Sequence, residues 1–342
     1  MKIGIVTIYE CVSNIGSYLQ AYALQTALRE MGHEVVFLEK EPNSIPLKKE
    51  LFKLNPKRAF FQRIKKCYHY TRAIKRLTTK PTEKADKLDC IIYGSDEIWN
   101  MENPYFKDPF FFGTNIKTVP KVAYAISAGI MCRETLENNA DIAAGIPSFR
   151  HIFVRDQHTK ELIEPIVQND LPLVCDPTFL VPLDKLSKPL KLPKYKYLVV
   201  YTYGIPEHIQ SVIQEFAQKH GLKIVSASFW DMWYDEVYHC DPLQFAELIK
   251  GAEYVFTTTF HGAIFAMRTH SRCCVLPIRE KVSDLMKRLN MTSRVISENV
   301  DLDEFEQVIS QPFPAEEFEK TISAYRADSI EKLTEALNDI AN

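Results

Sequence analysis

The six residues from Thr257 to Gly262, TTTFHG, place hydroxyl groups, a histidine and a glycine in one short stretch. An apolar run at 252–256 precedes them and predicts a buried strand, and the run at 263–267 after them predicts a helix. Ligands of open α/β sheets bind at this type of edge, and a helix N-terminus attracts phosphate or carboxylate groups. Histidine is the side chain whose unperturbed pKa is nearest neutrality, so His261 is the natural acid or base there. A structural hydrogen-bonding role is the alternative.

Polar residues follow other predicted strands in the same way. These turns are 94–100 (GSDEIWN), 127–129 (SAG), 155–156 (RD) and 176–178 (DPT). Ser95 or Asp96 could cap a helix. Alternatively, Asp96 could accept hydrogen bonds from a sugar while an exposed Trp99 packs on the C–H faces of its ring. Arg155 could clamp an anion through two hydrogen bonds, or pair with a neighbouring acid.

The elements that must position these residues begin with a β-α-β unit. Its strand, helix and second strand lie at 2–7, 18–28 and 35–38. Such a unit predicts adjacent parallel strands, so the loop 9–17, with Asn14 and Gly16, faces the same edge as the other polar turns. This loop is not GxGxxG, and we therefore expect no dinucleotide site.

The two halves of the chain both alternate strands and helices, which predicts an α/β protein. Proline and lysine are concentrated at 183–196, which indicates a linker. We expect one domain at 1–182, a second at 197–322 and a C-terminal helix at 323–342. Arg279 and Lys281 follow the last predicted strand, on the same edge as His261. Two such domains facing each other would form a cleft.

The composition excludes several classes of protein. A net charge of -2 over 342 residues gives no reason to expect a nucleic-acid partner. The eight cysteines form no CxxC pair, which favours free thiols in a reducing compartment. No carboxylate and histidine cluster has metal-ligand spacing, so we expect no metal. No apolar run approaches the roughly 20 residues that span a bilayer, and we expect a cytoplasmic protein.

A basic segment at 46–81 interrupts the first domain. From 48 to 80 it contains twelve Lys and Arg and a single acid, Glu50. The simplest interpretation, which we favour, is a solvated amphipathic helix or helix pair. The alternative is a surface for an anionic membrane or for an acidic, lipid-linked substrate, which would put the protein at the inner face of the membrane.

Taken in order, these motifs resemble the polysaccharide pyruvyl transferase family. The similarity runs along nearly the whole chain. The matching residues are 14–16 (NIG), 19–24 (LQAYAL), 94–100 (GSDEIWN), 127–129 (SAG), 154–156 (VRD), 176–178 (DPT) and 260–262 (FHG). Each motif is weak alone, but their order is fairly specific.

The resemblance implies a GT-B-like fold, with two Rossmann-like domains facing a cleft and a C-terminal helix that crosses back to the first domain. It also implies transfer of pyruvate from phosphoenolpyruvate to two hydroxyls of a sugar, giving a cyclic ketal and phosphate. The family histidine corresponds to His261. Some members have Arg and Leu just before it, where this chain has Thr259 and Phe260. The cation for the donor must therefore come from another residue.

The hypothesis assigns roles on this basis, with His261 as the acid or base. The predicted donor-binding residues are Thr258, Thr259, Gly262, Arg155, Arg279 and Lys281. The predicted acceptor-binding residues are Asn14, Gly16, Ser95, Asp96, Trp99 and Ser127. Phosphoenolpyruvate enters as a substrate, and no cofactor is required.

Two other functions remain open at this level. A glycosyltransferase could bind a nucleotide-sugar in the same cleft, since fold alone does not fix the donor. A non-catalytic carbohydrate-binding protein would keep Trp99 but would not need His261. Because this chain lacks the Arg that some family members have before the histidine, the non-catalytic function remains open.

Overall fold

The computed structural model describes residues 1–9, 14–38, 57–77, 87–227, 229 and 231–342. Within these ranges the chain forms two α/β domains, each built on a five-stranded parallel sheet. Residues 10–13 of the first polar loop lie outside the described residues, as does much of the basic segment predicted at 46–81.

The first sheet belongs to the N-terminal domain. Its strands are β1 (Lys2–Val6), β2 (Glu34–Phe37), β3 (Cys90–Tyr93), β4 (Lys121–Ile126) and β5 (His151–Val154), in the order β2-β1-β3-β4-β5. β3 and β4 are buried along their whole length. This is typical of parallel strands covered by helices on both faces.

The second sheet belongs to the C-terminal domain. Its strands are β6 (Tyr197–Tyr201), β7 (Lys223–Ser226), β8 (Glu236–Val237), β9 (Tyr254–Thr257) and β10 (Cys273–Val275), in the order β10-β9-β6-β7-β8. The sequence analysis did not predict β8, because two residues are too short to give a periodic signal. It did anticipate a last short strand before Asp176, where the structure has only an isolated bridge between Val154 and Leu173.

Helices cover both sheets. Those that follow the first strands are α1 (Ile15–Glu30), α2 (Lys57–Ile74), α3 (Arg133–Glu137), α4 (Ala140–Ala143), α5 (Gln157–Val167) and α6 (Pro177–Leu180). Those of the second half are α7 (Glu207–Lys219), α8 (Phe245–Lys250), α9 (Phe260–Arg268), α10 (Glu280–Arg288), α11 (Leu302–Ile309) and α12 (Ala315–Ala341). The predicted linker contains a short 3-10 helix, Leu183–Leu186.

The strand orders define where a ligand should bind. In each sheet the chain first adds strands on one side of the starting strand and then crosses to its other side. This switch point lies between β1 and β3 in the first sheet and between β6 and β9 in the second. Ligands of open parallel sheets bind outside the carboxyl ends of the strands at such a switch point. The turns that begin at Gly94 and at Thr258 lie at these two points.

The C-terminal helix α12 crosses back to the N-terminal domain, as expected, although it starts at Ala315 rather than at 323. The Ser329 hydroxyl accepts a 2.9 Å hydrogen bond from the Cys175 amide. Near the end of the helix, Asp339 contacts Arg150 at 2.8 Å and His151 at 2.7 Å. We call Arg150, His151 and Asp339 the surface trio.

Where the side chains of the basic helix α2 are described, at 64–65 and 67–74, they form an exposed face and a buried face. The buried face contains Tyr70, Ala73 and neighbouring apolar residues. Arg76, just beyond the helix, donates a 2.8 Å hydrogen bond to Asp241 of the C-terminal domain. The described part of this segment therefore packs on both domains, and membrane contact stays a prediction. No helix in the described part of the chain is long and apolar enough to cross a bilayer.

Candidate active site

A cleft of about 710 Å³ separates the carboxyl ends of the two sheets. The N-terminal domain contributes Asp96 and Glu97 to its lining, and the C-terminal domain contributes Thr258, His261 and Lys281, among others. The polar turns of both switch points therefore face one space. Its volume is typical of small-molecule sites, which measure about 300–1,000 Å³.

His261 lies in the first turn of α9 and is largely buried. Its Nε2 atom is 3.5 Å from Oδ2 of Asp176, which is too long for a good hydrogen bond but close enough for an ion pair when the imidazole is protonated. Within the described chain, Nε2 has no hydrogen-bond partner. Gly16 of α1 lies against the ring, and a Cβ there would be 2.2 Å from Nδ1. The histidine thus sits where both domains meet.

Asp176 is the centre of this cluster. Its Oδ2 accepts from Arg155 at 2.9 Å and from the Ser95 hydroxyl at 3.3 Å. Its Oδ1 accepts a hydrogen bond from the Thr178 amide, and Asp176 thereby caps the N-terminus of α6. Burial alone would raise the pKa of Asp176, but His261 and Arg155 hold that pKa well below its usual range. The carboxylate is therefore ionised at neutral pH beside the imidazole.

Arg155 is fully enclosed and is not positioned as a free donor-binding cation. Besides Asp176, its guanidinium lies 3.6 Å from Asp96 and 4.3 Å above the ring of Phe260. Burial would lower the pKa of Arg155, but the carboxylates of Asp176 and Asp96 raise it. It does not line the large cleft. Arg155, Asp176 and His261 form what we call the buried trio.

The threonines of the TTTFHG turn hold the backbone in place. Thr259 caps α9 by accepting from the Gly262 amide at 3.0 Å. Thr258 and Thr202 share a 2.7 Å hydrogen bond between their hydroxyls. A Cβ on Gly262 would approach the Thr257 hydroxyl to 2.1 Å, so its lack of a side chain serves packing. Of these predicted donor-binding residues, Thr258 and Thr259 line the cleft.

Arg279 and Lys281 face the cleft at the start of α10, as the sequence predicted. Lys281 makes a short ion pair with Glu97, and Arg279 lies 3.7 Å from the same carboxylate. Burial would raise the pKa of Glu97, but the two cations lower it to about 2. Glu97 of one domain therefore pairs with two cations of the other, and the three groups keep a net positive charge. This pairing was not predicted from the sequence.

The structure contradicts the prediction that Trp99 is exposed for sugar stacking. Trp99 is completely buried, its Nε1 donates to the Phe111 carbonyl at 3.0 Å, and its ring stacks on Phe112. The tryptophan fixes the loop after β3 instead of contacting a ligand.

Three further predicted acceptor residues are buried in structural contacts. Ser95 bonds Asp176, Ser127 accepts from the Gly129 amide, and Gly16 is covered by His261. These contacts leave none of the three facing the cleft. Asp96 and Asn14 do line the cleft, and Asn14 also caps α1 by accepting from the Ser17 amide.

The cleft walls also carry aromatic residues that sequence reasoning missed. Tyr105 and Phe106 come from the N-terminal domain, and Tyr201, Tyr203 and Phe229 come from the C-terminal domain. One signal was available for Tyr203, because it follows a strand at the same edge as the other polar turns. Among the described residues, no group of three metal-ligating side chains is close enough to hold an ion.

Two parallel-sheet domains that face a cleft, with the last helix returning to the first domain, define the GT-B class of fold. The UDP-N-acetylglucosamine 2-epimerase of Neisseria meningitidis is similar at a TM-score of 0.55 and 12% identity, covering 99% of this chain and 100% of that one. A putative epimerase of the same name from Listeria monocytogenes gives 0.58 and 10%, covering 98% and 96%. The spinosyn forosaminyltransferase SpnP gives 0.53 and 10%, covering 100% of both.

These structures share the fold at low identity and do not define the reaction. The family model for polysaccharide pyruvyl transferase matches residues 14–278. The chain therefore belongs to the polysaccharide pyruvyl transferase family, which is a family of transferases. No curated protein matches the sequence significantly.

Proposed function

We propose that this protein transfers the pyruvyl group of phosphoenolpyruvate to two hydroxyls of a sugar in a cell-surface polysaccharide or its precursor. The observation that carries the proposal is the position of His261. In a chain of this family, it borders a cleft that also contains two cations and several aromatic rings. An acid or base, an anion site and a surface for a sugar are what this transfer requires.

The reaction balances without a cofactor. Both acceptor oxygens form bonds to C2 of the donor, and the bond from C2 to the phosphate oxygen breaks. One hydroxyl proton moves to the methylene carbon, which becomes a methyl group, and the other leaves with inorganic phosphate. The catalyst must therefore move a proton between an acceptor oxygen and a carbon.

His261 is proposed to carry that proton. Its Nε2 faces Asp176 and is shielded from solvent, so proton exchange with a ligand would have to use Nδ1, the nitrogen that lies beside Gly16. The carboxylate of Asp176 would favour a proton on Nε2, which would leave Nδ1 unprotonated and basic. General acid–base catalysis of this type contributes about 10²–10⁴-fold.

Arg279 and Lys281 are proposed to bind the phosphate and carboxylate of the donor. They replace the cation that some family members have before the histidine. Thr258 and the N-terminus of α9 lie in the same cleft and provide hydrogen-bond donors suited to an anion. Since Glu97 contacts both cations, the donor must compete with this carboxylate. Asp96 and Asn14 are proposed to contact the acceptor.

The proposal is tested by measuring phosphate release from phosphoenolpyruvate with acceptors that contain galactose, mannose or glucosamine. Acceptor-dependent release, with pyruvate attached to the sugar, is the expected result. No release and no thermal stabilisation by phosphoenolpyruvate, together with stabilisation by a UDP- or GDP-sugar, would favour glycosyl transfer instead.

Replacing His261 with alanine should lower transfer about 10²–10⁴-fold, because the proton would lose its carrier. Initial rates of phosphate release measure the loss. The matched control is His151→Ala, which removes a histidine from the surface trio and should keep nearly full activity. An unchanged rate in the His261 variant would exclude the imidazole from the mechanism.

A further inference from the structure

Two aromatic clusters stand on opposite domains at the large cleft. In the N-terminal domain, the Tyr105 ring packs against Phe106 at 5.3 Å and against Phe111 at 5.6 Å. In the C-terminal domain, the Tyr203 ring packs against Phe229 at 5.0 Å. Because neighbouring rings hold each tyrosine, its orientation is defined before any ligand arrives.

Both tyrosines remain open to solvent in spite of this support. Tyr105 is 42% exposed and Tyr203 is 63% exposed, and the neighbouring Ile278 is 48% exposed. All three line the cleft. Single exposed apolar residues are common on protein surfaces, but an apolar group clustered at one cleft marks a binding surface.

In the C-terminal domain, Tyr203 directly follows a residue that contacts the TTTFHG turn. Tyr203 follows β6, which pairs with β9 in register from Leu198 with Tyr254 to Tyr201 with Thr257. The next residues of both strands are joined by the hydroxyl contact between Thr202 and Thr258. Tyr203 is therefore one residue beyond Thr202, which contacts the TTTFHG turn, and Tyr203 lines the same cleft as His261.

The charges indicate which ligand chemistry fits these rings. Arg279 and Lys281, the cations that face the cleft, already have a carboxylate partner in Glu97. The donor is the anionic ligand that competes for them. The described lining of the cleft also includes two amides, Asn103 and Asn14, and it contains no Lys or Arg besides Arg279 and Lys281. Ring faces with amide groups suit the C–H faces and hydroxyls of a neutral sugar.

We propose that Tyr105 and Tyr203 form a stacking subsite for a sugar residue next to the one that receives the pyruvyl group. The inference rests on the proposed function and narrows its acceptor to a saccharide of at least two residues. The volume agrees, because 710 Å³ is in the upper part of the usual range and the donor is a three-carbon phosphate ester.

The test compares matched pairs of sugars by saturation-transfer NMR on the full-length protein. The probes are methyl β-galactoside with lactose, methyl α-mannoside with α-mannobiose, and N-acetylglucosamine with chitobiose. At least one disaccharide should bind about three- to tenfold more tightly than its monosaccharide partner. Tyr105→Ala and Tyr203→Ala should each remove most of that advantage.

Two controls separate stacking from a structural role. Tyr105→Phe and Tyr203→Phe keep the ring and should bind the disaccharide within about twofold of the unmodified protein. Tyr68→Ala removes an exposed tyrosine of α2 and should change nothing. Loss in the Phe variants equal to that in the Ala variants, or wild-type binding in the Ala variants, would overturn the inference. Failure of every disaccharide to bind would also overturn it.

Failure of the subsite and failure of the proposed reaction give different results. Disaccharide binding that depends on both tyrosines, without phosphate release from phosphoenolpyruvate, would keep the subsite and reject pyruvyl transfer. Phosphate release that is equally fast with mono- and disaccharides, and is unchanged in both Ala variants, would keep the reaction and reject the subsite.

Discussion

The protein contains two clusters in which one aspartate contacts an arginine and a histidine. In the buried trio, the side chains of Asp176, Arg155 and His261 are 0%, 1% and 8% exposed. In the surface trio, those of Asp339, Arg150 and His151 are 43%, 54% and 30% exposed. The chemical groups are the same, and in both clusters the pKa of the aspartate is held below its usual range.

The surroundings decide what each cluster can do. Water screens the surface trio, which attaches the end of α12 to the N-terminal domain, so it acts as one contact among many. The buried trio is shielded from water, and removing one member would leave the others without their partner. Of the two histidines, only His261 borders the cleft, so only in the buried trio does the aspartate lie beside a histidine that faces a ligand site.

The largest effect should come from Asp176→Asn, which removes the charge from the buried trio. Of its two ion pairs, Arg155 would keep only the longer one, with Asp96. Because a buried charge would lose its main partner, the free energy of unfolding should fall by about 3–5 kcal/mol. Urea unfolding measures this loss. A variant as stable as the original protein would show that Asp96 alone can neutralise Arg155.

The pH dependence of the unfolding free energy, measured for the original protein and for Asp176→Asn, tests the charge of the buried trio a second time. A carboxyl whose folded pKa is lowered adds stability above its unfolded pKa, about 3.9, and loses it as the pH falls toward the folded value. The difference in unfolding free energy between the original protein and Asp176→Asn should therefore shrink as the pH falls below about 4. A difference that grew on acidification would contradict the lowered pKa of Asp176.

Glu97→Gln should have a smaller effect than Asp176→Asn, and it should be favourable, because donor binding should become tighter. The change keeps the shape of the side chain but releases Arg279 and Lys281 from a charged competitor. The KM for phosphoenolpyruvate should fall about two- to fivefold. Steady-state phosphate release at saturating acceptor measures it. A rise in KM would mean that Glu97 helps to build the donor site rather than competing with the donor.

The smallest effect should come from Asp339→Asn in the surface trio. Solvent already stabilises Arg150 and His151, so the urea midpoint and the transfer rate should both stay close to those of the original protein. A large loss of stability would show that the end of α12 is essential for joining the domains. In that case burial would not be the main difference between the two trios.

The sequence was sufficient to predict the fold because its signals were local. Apolar runs marked nearly all of the described strands, and the polar residues after them marked the functional edge of each sheet. His261, Thr258, Arg279 and Lys281 were predicted from their positions after strands, and all four line the cleft.

The rest of the site depends on contacts between distant parts of the chain. The pairing of Glu97 with Lys281 joins residues 184 positions apart, and no local pattern contains that information. Trp99 was assigned to the surface because it follows a polar turn. The phenylalanines of the next loop bury it instead, and Tyr105 and Tyr203 are the exposed rings among the described residues that line the cleft.

Gly16 lets the two halves of the molecule approach closely beside His261. The glycine belongs to one half and the imidazole beneath it to the other, and a single added methyl group would not fit between them. A side chain at position 16 would therefore have to displace the imidazole or separate the two halves, and either change would alter the surroundings of the proposed acid or base.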